Sequence, residues 1–437
     1  MLRPTIFAFV DQALLSALSF ALSLALIRYA PPAEYGLYAQ LLNLQSLFSV
    51  VHAGLFVSGL LAIHPSLNTD SRPTFTGRLA RSDACFGIAS APVIAAVTYV
   101  GALSLRSPIS AAFAAASALA VVGLWWREFS RAAYFADLHA DRVLALDLFY
   151  AMAVALVLAL LTQFIAVSAA SVVLATGVAG VAAGGFALIR FAGRSPVTVG
   201  VPSLRQAWRH GQWDTYGSVV TWLQSQSYVF FAAAAGGLAM AGAVSAARLM
   251  GMPLALAWAG GANVLRVSIA KALAADDVAK AANVVRHALL LVIVVSALYV
   301  LFITAAFPAV DRYLYHYKFV GLGTHVSWWL AYFVLTGIST TGAAVMRGAL
   351  RMAALFRCYV IACAVTLAAL GLASLLQQSM SVVTALAAGE VTLSTLIWID
   401  LRRFRIVLSE RIAAAGYPGP IEADAVVRCR VCTPPRS

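Results

Sequence analysis

The sequence predicts an all-α integral membrane protein, with about 12 transmembrane helices in two six-helix bundles and both termini in the cytoplasm. The first observation is composition, since 62% of the 437 residues are hydrophobic and only 11% are charged. A soluble domain typically has about 25% charged residues, which cover its surface. The second observation is the spacing of the apolar segments. The third is the distribution of Lys and Arg between them.

Twelve segments are long and apolar enough to cross a bilayer, for which about 20 residues are needed. The first six segments are 9–27, 37–63, 85–105, 108–126, 144–161 and 169–189. The second six are 213–238, 243–265, 288–307, 326–346, 355–376 and 380–399. Backbone polar groups in lipid must pair within their own segment, so we expect each segment to be a helix.

Lys and Arg lie almost entirely on one side of the predicted membrane. Of the 30, 25 lie in the termini and in the connections after even-numbered segments. The opposite connections hold only Arg28, Arg106, Arg312 and Lys318, and Arg248 lies inside a segment. Cytoplasmic loops are enriched in Lys and Arg, so this bias predicts the orientation. It also accounts for the net charge of +13, and we expect no nucleic acid partner.

The longest polar connection in the middle of the chain divides it into two halves. We predict an N-terminal six-helix lobe at 1–191, a cytoplasmic linker at 192–212 and a C-terminal six-helix lobe at 213–400. Six helices in each half make the halves parallel repeats. Residues 401–437 are predicted to be a basic cytoplasmic tail, which we expect to be flexible.

Enzyme signatures are scarce in this chain. The sequence contains no P-loop, HExxH or GxSxG motif, and the outer connections are too short to hold a catalytic domain. We interpret His52 as a packed polar residue rather than a ligand. Cys429 and Cys432 have CxxC spacing but no nearby third ligand, so we expect two reduced thiols, with a metal or redox role as the alternative. The sequence therefore predicts a transporter without catalytic residues or a metal site.

Ionisable residues at membrane depth are costly, so each one is a candidate functional residue. Arg248 lies about five residues into the eighth segment. It either extends its guanidinium to the interface or binds an anion in a water-filled cavity. Asp11 and Asp214 begin the first and seventh segments. We expect these two acids to have one of three roles. They pair with loop arginines, they gate the cytoplasmic opening, or they carry a coupling cation.

Two further polar features lie deeper in the predicted segments. Glu390 is near the middle of the twelfth segment, where it must be protonated, paired or hydrated, with Arg357 as a candidate partner. Gln224 and Gln226 lie near mid-depth in the seventh segment. Their amides either bind sugar hydroxyls or hold helices together.

Residues 28–39 (RYAPPAEYGLYA) close the first segment and open the second. They resemble the first outer turn of the polysaccharide flippases, the Wzx-like branch of the multidrug/oligosaccharidyl-lipid/polysaccharide exporter (MOP) superfamily. In that branch the first helix ends in an Arg, and a turn with an acidic residue, an aromatic residue and Gly follows. Residues 237–248 (GLAMAGAVSAAR) and 262–266 (ANVLR) resemble the corresponding part of the second half. The resemblance covers roughly residues 5–400.

The resemblance implies two bundles around a cationic cavity that opens alternately to each side of the bacterial inner membrane. It implies a flippase that moves an undecaprenyl-diphosphate-linked oligosaccharide to the periplasmic leaflet for polysaccharide biosynthesis. Membrane lipids and other polysaccharide assembly proteins are the expected partners. The membrane potential or a coupling ion, H⁺ or Na⁺, would drive transport, and no other cofactor is expected. The candidate lumen residues are Arg248, Arg28, Gln224, Gln226, Asp11, Asp214 and Glu390.

The chain departs from this pattern in one respect, because a single Arg lies clearly within a predicted helix. A strongly cationic cavity would need more than one arginine within its helices. A multidrug cation antiporter of the same superfamily is the main alternative, with Asp11 or Glu390 as its principal site. A polysaccharide polymerase or ligase is the third hypothesis.

Overall fold

The computed structural model describes residues 2–104, 110–193, 204–275, 277–319, 321–375 and 379–415, with some side chains left out. These ranges are helical almost throughout and contain no strand. They include ten helical stretches that are long and apolar enough to span a membrane. The prediction of an all-α, multi-pass membrane protein is confirmed.

The described residues form fourteen α-helices, together with two π-helices and one short 3-10 helix. The α-helices are α1 Leu2–Tyr29, α2 Pro32–His52, α3 Ser58–Ile63, α4 Ser71–Ser104, α5 Ala111–Ala136, α6 Ala140–Leu161, α7 Ala169–Ala192, α8 Leu204–Gln226, α9 Tyr228–Leu249, α10 Met252–Ala274, α11 Val278–Val310, α12 Leu322–Gly348, α13 Met352–Leu375 and α14 Ser379–Ala415. The π-helices are Ala53–Val57 and Asp311–Tyr315, and the 3-10 helix is His64–Ser66.

The seventh and eighth predicted segments are each interrupted. The seventh consists of α8, which ends at Gln226, and the first part of α9. The chain then turns at Gly237, whose φ of 76° lies in the left-handed region that favours glycine. The eighth consists of the rest of α9, which ends at Leu249, and of α10, which begins at Met252. Counted in this way, and with α2 and α3 as one crossing, the described helices make the twelve crossings that the sequence predicts.

Several helices are longer than the apolar segments that predicted them. Helix α4 begins at Ser71 rather than at residue 85, and α5 continues to Ala136 rather than ending at 126. Helix α14 continues to Ala415, into the region predicted to be a tail. Hydropathy measures the part of a helix that can contact lipid, whereas backbone hydrogen bonds continue into polar residues. As a result, charged residues assigned to connections lie within helices.

The chain divides into two compact units. Unit 1 contains Met1–Gly251, Phe302–Ala331 and Cys363–Gly389, and unit 2 contains Met252–Leu301, Tyr332–Ala362 and Glu390–Ser437. Much of the predicted linker at 192–212 lies outside the described residues, as do Cys429 and Cys432. The division into lobes at 1–191 and 213–400 therefore stays a prediction.

Within unit 1, α5 packs against α7 through glycine residues. A Cβ atom on Gly123 would lie 2.7 Å from the backbone nitrogen of Val181. A Cβ atom on Gly184 would lie 2.4 Å from the backbone nitrogen of Arg127. Small residues of this kind let helix backbones approach closely in membranes. The close packing fixes the charged half of α5.

The starts of α2 and of the second part of α9 also meet through glycines, and the contact is reciprocal. A Cβ atom on Gly36 would lie 1.8 Å from the carbonyl oxygen of Leu238 and 2.9 Å from the nitrogen of Gly242. A Cβ atom on Gly242 would lie 2.4 Å from the carbonyl oxygen of Pro32 and 3.1 Å from the nitrogen of Gly36. Two elements related by a two-fold axis make contacts of this kind.

Candidate anion site at Arg248

Arg248 is half-buried in the last turn of α9, beside the interruption that precedes α10. Its Nη1 donates to Oε1 of Gln226 at 2.6 Å, and the hydroxyl of Tyr228 lies 3.4 Å from the same nitrogen. The guanidinium carbon is 5.3 Å from the ring centroid of Tyr228 and 5.4 Å from that of Trp329. Both distances are in the range of cation–π interactions. An amide oxygen and two aromatic faces therefore orient the guanidinium.

Arg248 has no acidic partner among the residues whose side chains are described. None of the salt bridges found there includes it, and its Nε is buried without a hydrogen-bond partner. A guanidinium that is held by neutral groups keeps its positive charge uncompensated and retains unused donors. The arrangement can bind an anion without first breaking an ion pair.

The position of Arg248 along its helix differs from the sequence prediction. The second part of α9 follows Gly237, not residue 243, so Arg248 lies eleven positions after the turn. At 1.5 Å per residue this is roughly 16 Å along the helix. Arg248 thus lies further along its helix than the five residues that the sequence predicts, and its guanidinium contacts Gln226 on α8.

Aromatic residues of unit 1 anchor the end of α9. The indole nitrogen of Trp329 donates to the carbonyl of Val244 at 2.8 Å, and the hydroxyl of Tyr315 donates to the carbonyl of Ala246 at 3.1 Å. Both side chains are fully buried. These hydrogen bonds to the backbone hold the turn that carries Arg248. Trp329 is therefore packed within unit 1.

Helix α8 brings Gln226 to this site. The indole nitrogen of Trp222 donates to the hydroxyl of Ser46 at 2.7 Å and to the carbonyl of Asn43 at 3.0 Å, which ties α8 to α2. Gln224 is buried two positions before Gln226. Of the two predicted glutamines, Gln226 is thus placed directly on Arg248, and Gln224 lies in the packed part of the same helix.

Arg28 lies at the end of α1 and is exposed, with its guanidinium carbon 5.8 Å from the ring centroid of Tyr29. The ammonium of Lys318 donates to the carbonyl of Arg28 and, at 3.3 Å, to that of Ala30. The first outer turn thus carries two positive charges. Lys318 was not predicted as a site residue, although it is one of the few cations on the predicted outer side.

The residues that carry the family resemblance in this turn have structural contacts. Oε2 of Glu34 accepts a hydrogen bond from the backbone nitrogen of Ala169 at 2.9 Å, at the first turn of α7. Tyr35 is buried and bonds to Ser23. The turn is therefore fixed to α7 and to α1.

Asp11 lies in a buried ion cluster formed by α1, α5 and α6. Arg131 is at its centre, 2.8 Å from Oδ2 of Asp11, 2.8 Å from Oδ2 of Asp147 and 3.0 Å from Oε1 of Glu128. Arg127 joins it, with Nε 3.7 Å from Oδ1 of Asp147. Of the three interpretations of Asp11, pairing with an arginine is the one the structure shows. Asp147 stands alone in an apolar segment and was not predicted as a site residue.

A cavity of about 180 Å³ lies beside this cluster within unit 1. Its polar lining includes Tyr38, Gln45, Arg127 and Tyr150, and the remainder is largely apolar. The guanidinium of Arg127 stacks on the ring of Tyr150, 4.1 Å from its centroid. Because Asp147 and Glu128 already neutralise Arg127, this cavity is less suited to an anion than Arg248.

Glu390 lies in unit 2, where it is buried in α14 and accepts a hydrogen bond from the hydroxyl of Ser339 on α12. Arg357, its predicted partner, is exposed. The side chain of Asp214 lies outside the described residues. In the described part of the chain, no group of three or more His, Cys, Asp or Glu side chains could hold a metal ion.

Solved structures with the same fold are transporters. A multidrug resistance MATE family transporter of the MOP superfamily, in an inward-facing conformation, has 13% identity and a TM-score of 0.71, over 92% of this chain and 98% of that one. The lipid II flippase MurJ has 10% identity and a TM-score of 0.70, over 92% and 88%. A MOP superfamily transporter from Pyrococcus furiosus, whose reversed pocket polarity suggests a different function, has 14% identity and a TM-score of 0.65, over 93% and 95%.

No family model and no curated protein matches the sequence. The similarity therefore lies in the fold, which this chain shares over nearly its whole length with MOP superfamily transporters. The protein is a multi-pass membrane protein, and its similarity to these transporters is one of fold.

Proposed function

We propose that the protein is a flippase of the bacterial inner membrane. It would move an undecaprenyl-diphosphate-linked oligosaccharide from the cytoplasmic to the periplasmic leaflet by alternating access, for surface or exopolysaccharide biosynthesis. The observation that carries the proposal is Arg248, a half-buried guanidinium held by Gln226, Tyr228 and Trp329, with no carboxylate paired to it among the described side chains.

The chemistry of a diphosphate suits this arrangement. Arg presents planar, parallel donors that match phosphate oxygens, and a charge-assisted bond of this kind is stronger than a neutral one. The helix interruptions after Gln226 and after Leu249 are the discontinuities that form substrate sites in many transporters. The amide and the aromatic faces around Arg248 suit the sugar next to the diphosphate, while the lipid chain can stay in the bilayer.

The membrane potential would favour export of this cargo. Each negative charge moved outward across an inside-negative membrane releases about 2.3 kcal/mol per 100 mV. A diphosphate carries roughly two charges, so the potential contributes to the direction of transport without a coupling ion. An ion gradient, H⁺ or Na⁺, is the alternative source of energy.

The fold supports transport of a lipid-linked cargo, since one protein with this fold is a lipid II flippase. The same fold supports a multidrug cation antiporter equally well. An antiporter would use a buried carboxylate, and Glu390 is such a group. Arg248 favours the flippase, because an organic cation is repelled by a site with an unpaired guanidinium.

The test is the binding of undecaprenyl diphosphate to the purified full chain in lipid nanodiscs. Loss of one charge-assisted contact, about 1.5–3 kcal/mol, should weaken binding by roughly 10- to 100-fold in Arg248→Ala, with a smaller loss in Arg248→Lys. Arg312→Ala is the matched control, because Arg312 also stacks on a tyrosine but is exposed. It should bind like the wild type.

Deletion and complementation separate the two functions. A deletion strain should lose surface polysaccharide, and the Arg312→Ala variant but not the Arg248→Ala variant should restore it. If polysaccharide is unchanged and the strain becomes sensitive to cationic drugs, the protein is an antiporter. If Arg248→Ala binds undecaprenyl diphosphate as the wild type does, Arg248 is not the anion site.

A further inference from the structure

A buried pair of ionisable side chains, His52 and Asp83, lies apart from Arg248. His52 ends α2, and its Nε2 lies 2.6 Å from Oδ1 of Asp83 on α4. The side chains are 1% and 0% exposed. The His52 ring stacks in parallel on Trp125 at 5.0 Å between centroids and tilts against Phe56 at 5.4 Å. The sequence predicts His52 as a packed polar residue; the structure adds a carboxylate partner.

The second oxygen of Asp83 gives this pair its chemical character. Oδ2 is buried and has no hydrogen-bond partner in the part of the chain that the structure describes. A carboxylate that is removed from water needs a compensating charge or proton. When His52 is protonated, its positive charge cancels the negative charge of Asp83 and the pair is neutral overall. With neutral His52, it would hold a net negative charge among aromatic rings.

Two charged groups on the packed helices have contacts away from this pair. On α5, Arg127 contacts Asp147. On α4, Arg81 donates to the carbonyl of Ala192. On α8, Thr215 meets this region, and its hydroxyl would lie 1.5 Å from a Cβ on Gly54. The side chain of Asp214 lies outside the described residues. Among the described side chains, the salt bridge of His52 and the salt bridge of Asp83 are this one contact.

The pair lies directly before the π-helix Ala53–Val57. A π-helix carries one more residue per hydrogen-bonded turn than an α-helix and often marks a functional site. Gly54 is in this π-helix and packs on Thr215 of α8. Because α8 ends at Gln226, which binds Arg248, a change in the π-helix is connected to the anion site through one helix.

We propose that His52 and Asp83 form a proton-binding site whose proton release rearranges the π-helix against α8. In the closed arrangement, the imidazolium donates from Nε2 to Asp83 and the pair carries no net charge. Loss of the Nδ1 proton to water leaves neutral His52 and an uncompensated Asp83 carboxylate. The packing around Oδ2 supplies no donor, so water has to enter and the π-helix has to move. Intramembrane His and Asp residues form proton relays for this reason.

The proposal does not depend on the cargo of Arg248, and its test requires no transport. The full chain, with ¹⁵N-labelled histidine and in nanodiscs, is titrated from pH 5 to pH 9 by NMR, and His52→Gln assigns the His52 signal. Hydrogen exchange of residues 53–57 is followed over the same range, with α7 as the internal reference for intrinsic exchange. We expect His52 to gain and lose one proton, and the exchange of 53–57 to rise relative to α7 as the proton leaves.

Two variants make the result specific. Asp83→Asn keeps the size of the side chain and should abolish the pH-dependent change in exchange, as should His52→Gln. His64→Gln is the matched control, since His64 is also buried and lies 3.2 Å from Asp137, which is 42% exposed. It should leave both readouts of the wild type unchanged. A His52 signal that stays constant from pH 5 to pH 9, or exchange at 53–57 that follows α7 throughout, would overturn the proposal.

Discussion

The side chains of Gln226 and Arg248, 2.6 Å apart, join the ends of α8 and α9. Each residue lies next to a point where a membrane helix is interrupted. Helix ends leave backbone donors and acceptors without intrahelical partners, and in lipid these groups need protein or water. The contact therefore marks a polar place among apolar helices.

Replacing Gln226 by Leu should weaken the binding of undecaprenyl diphosphate by about 3- to 10-fold, the equivalent of one ordinary hydrogen bond. The guanidinium would keep its charge but lose the acceptor that fixes its direction. Gln163→Leu, at an exposed glutamine near the end of α6, is the control. Equal affinities for the two variants would show that Gln226 does not position Arg248.

Replacing Trp329 by Ala should reduce the same affinity by about 2- to 30-fold, because it removes a cation–π contact of about 0.5–2 kcal/mol. Trp258→Ala is the matched control. Trp258 is also buried and its indole donates to a backbone carbonyl, that of Phe333. If both variants lose affinity equally, the effect of Trp329 is on stability and not on Arg248.

Replacing Arg131 by Ala should destabilise the protein by about 3–5 kcal/mol, because Asp11 and Asp147 are buried carboxylates that would lose their closest cation. Thermal unfolding in nanodiscs measures this. Adding Asp11→Asn to Arg131→Ala should recover part of the loss, since it removes one of the stranded charges. The exposed Arg142 supplies the comparison, and Arg142→Ala should unfold like the wild type.

Replacing Gly36 or Gly242 by Ala should each destabilise the protein by about 1–3 kcal/mol, because the added methyl group meets backbone atoms that cannot move away. Gly371→Ala is the control, since no atom lies within 4 Å of its Cβ position. At this position alanine loses less backbone entropy on folding than glycine does. Gly371→Ala should therefore be neutral or stabilise the protein by up to about 1 kcal/mol. The three variants are compared by their unfolding temperatures, measured in the same lipid composition. An unfolding temperature of Gly36→Ala or Gly242→Ala as high as that of Gly371→Ala would contradict the prediction.

The helices and their number were predictable because lipid imposes a length and an apolar composition on each crossing. Arg248 was found because an arginine in an apolar segment is costly. Its position along the helix was not predicted, since the helix restarts at the left-handed Gly237, and hydropathy does not report backbone conformation. The contact with Gln226 depends on which residues of the two segments lie side by side after the chain reverses at Gly237.

The partners of the buried charges were not predictable for a different reason. Asp83 lies before the apolar part of α4, so it was assigned to a connection. Asp147 was a single acid in an apolar run. Their partners, His52 and Arg131, are on other helices, and which helices meet is not encoded in the hydropathy of either one.

The reciprocal glycine contact constrains how the two halves of the chain can diverge. Each of Gly36 and Gly242 is held against backbone of the opposite half, so neither position can acquire a side chain through a compensating change of side chain elsewhere. If the halves arose by duplication, the remaining sequence could drift while these two positions stayed tied to each other. Alignments of one half with the other should therefore be anchored at residues 36 and 242, and then extended outward along α2 and α9.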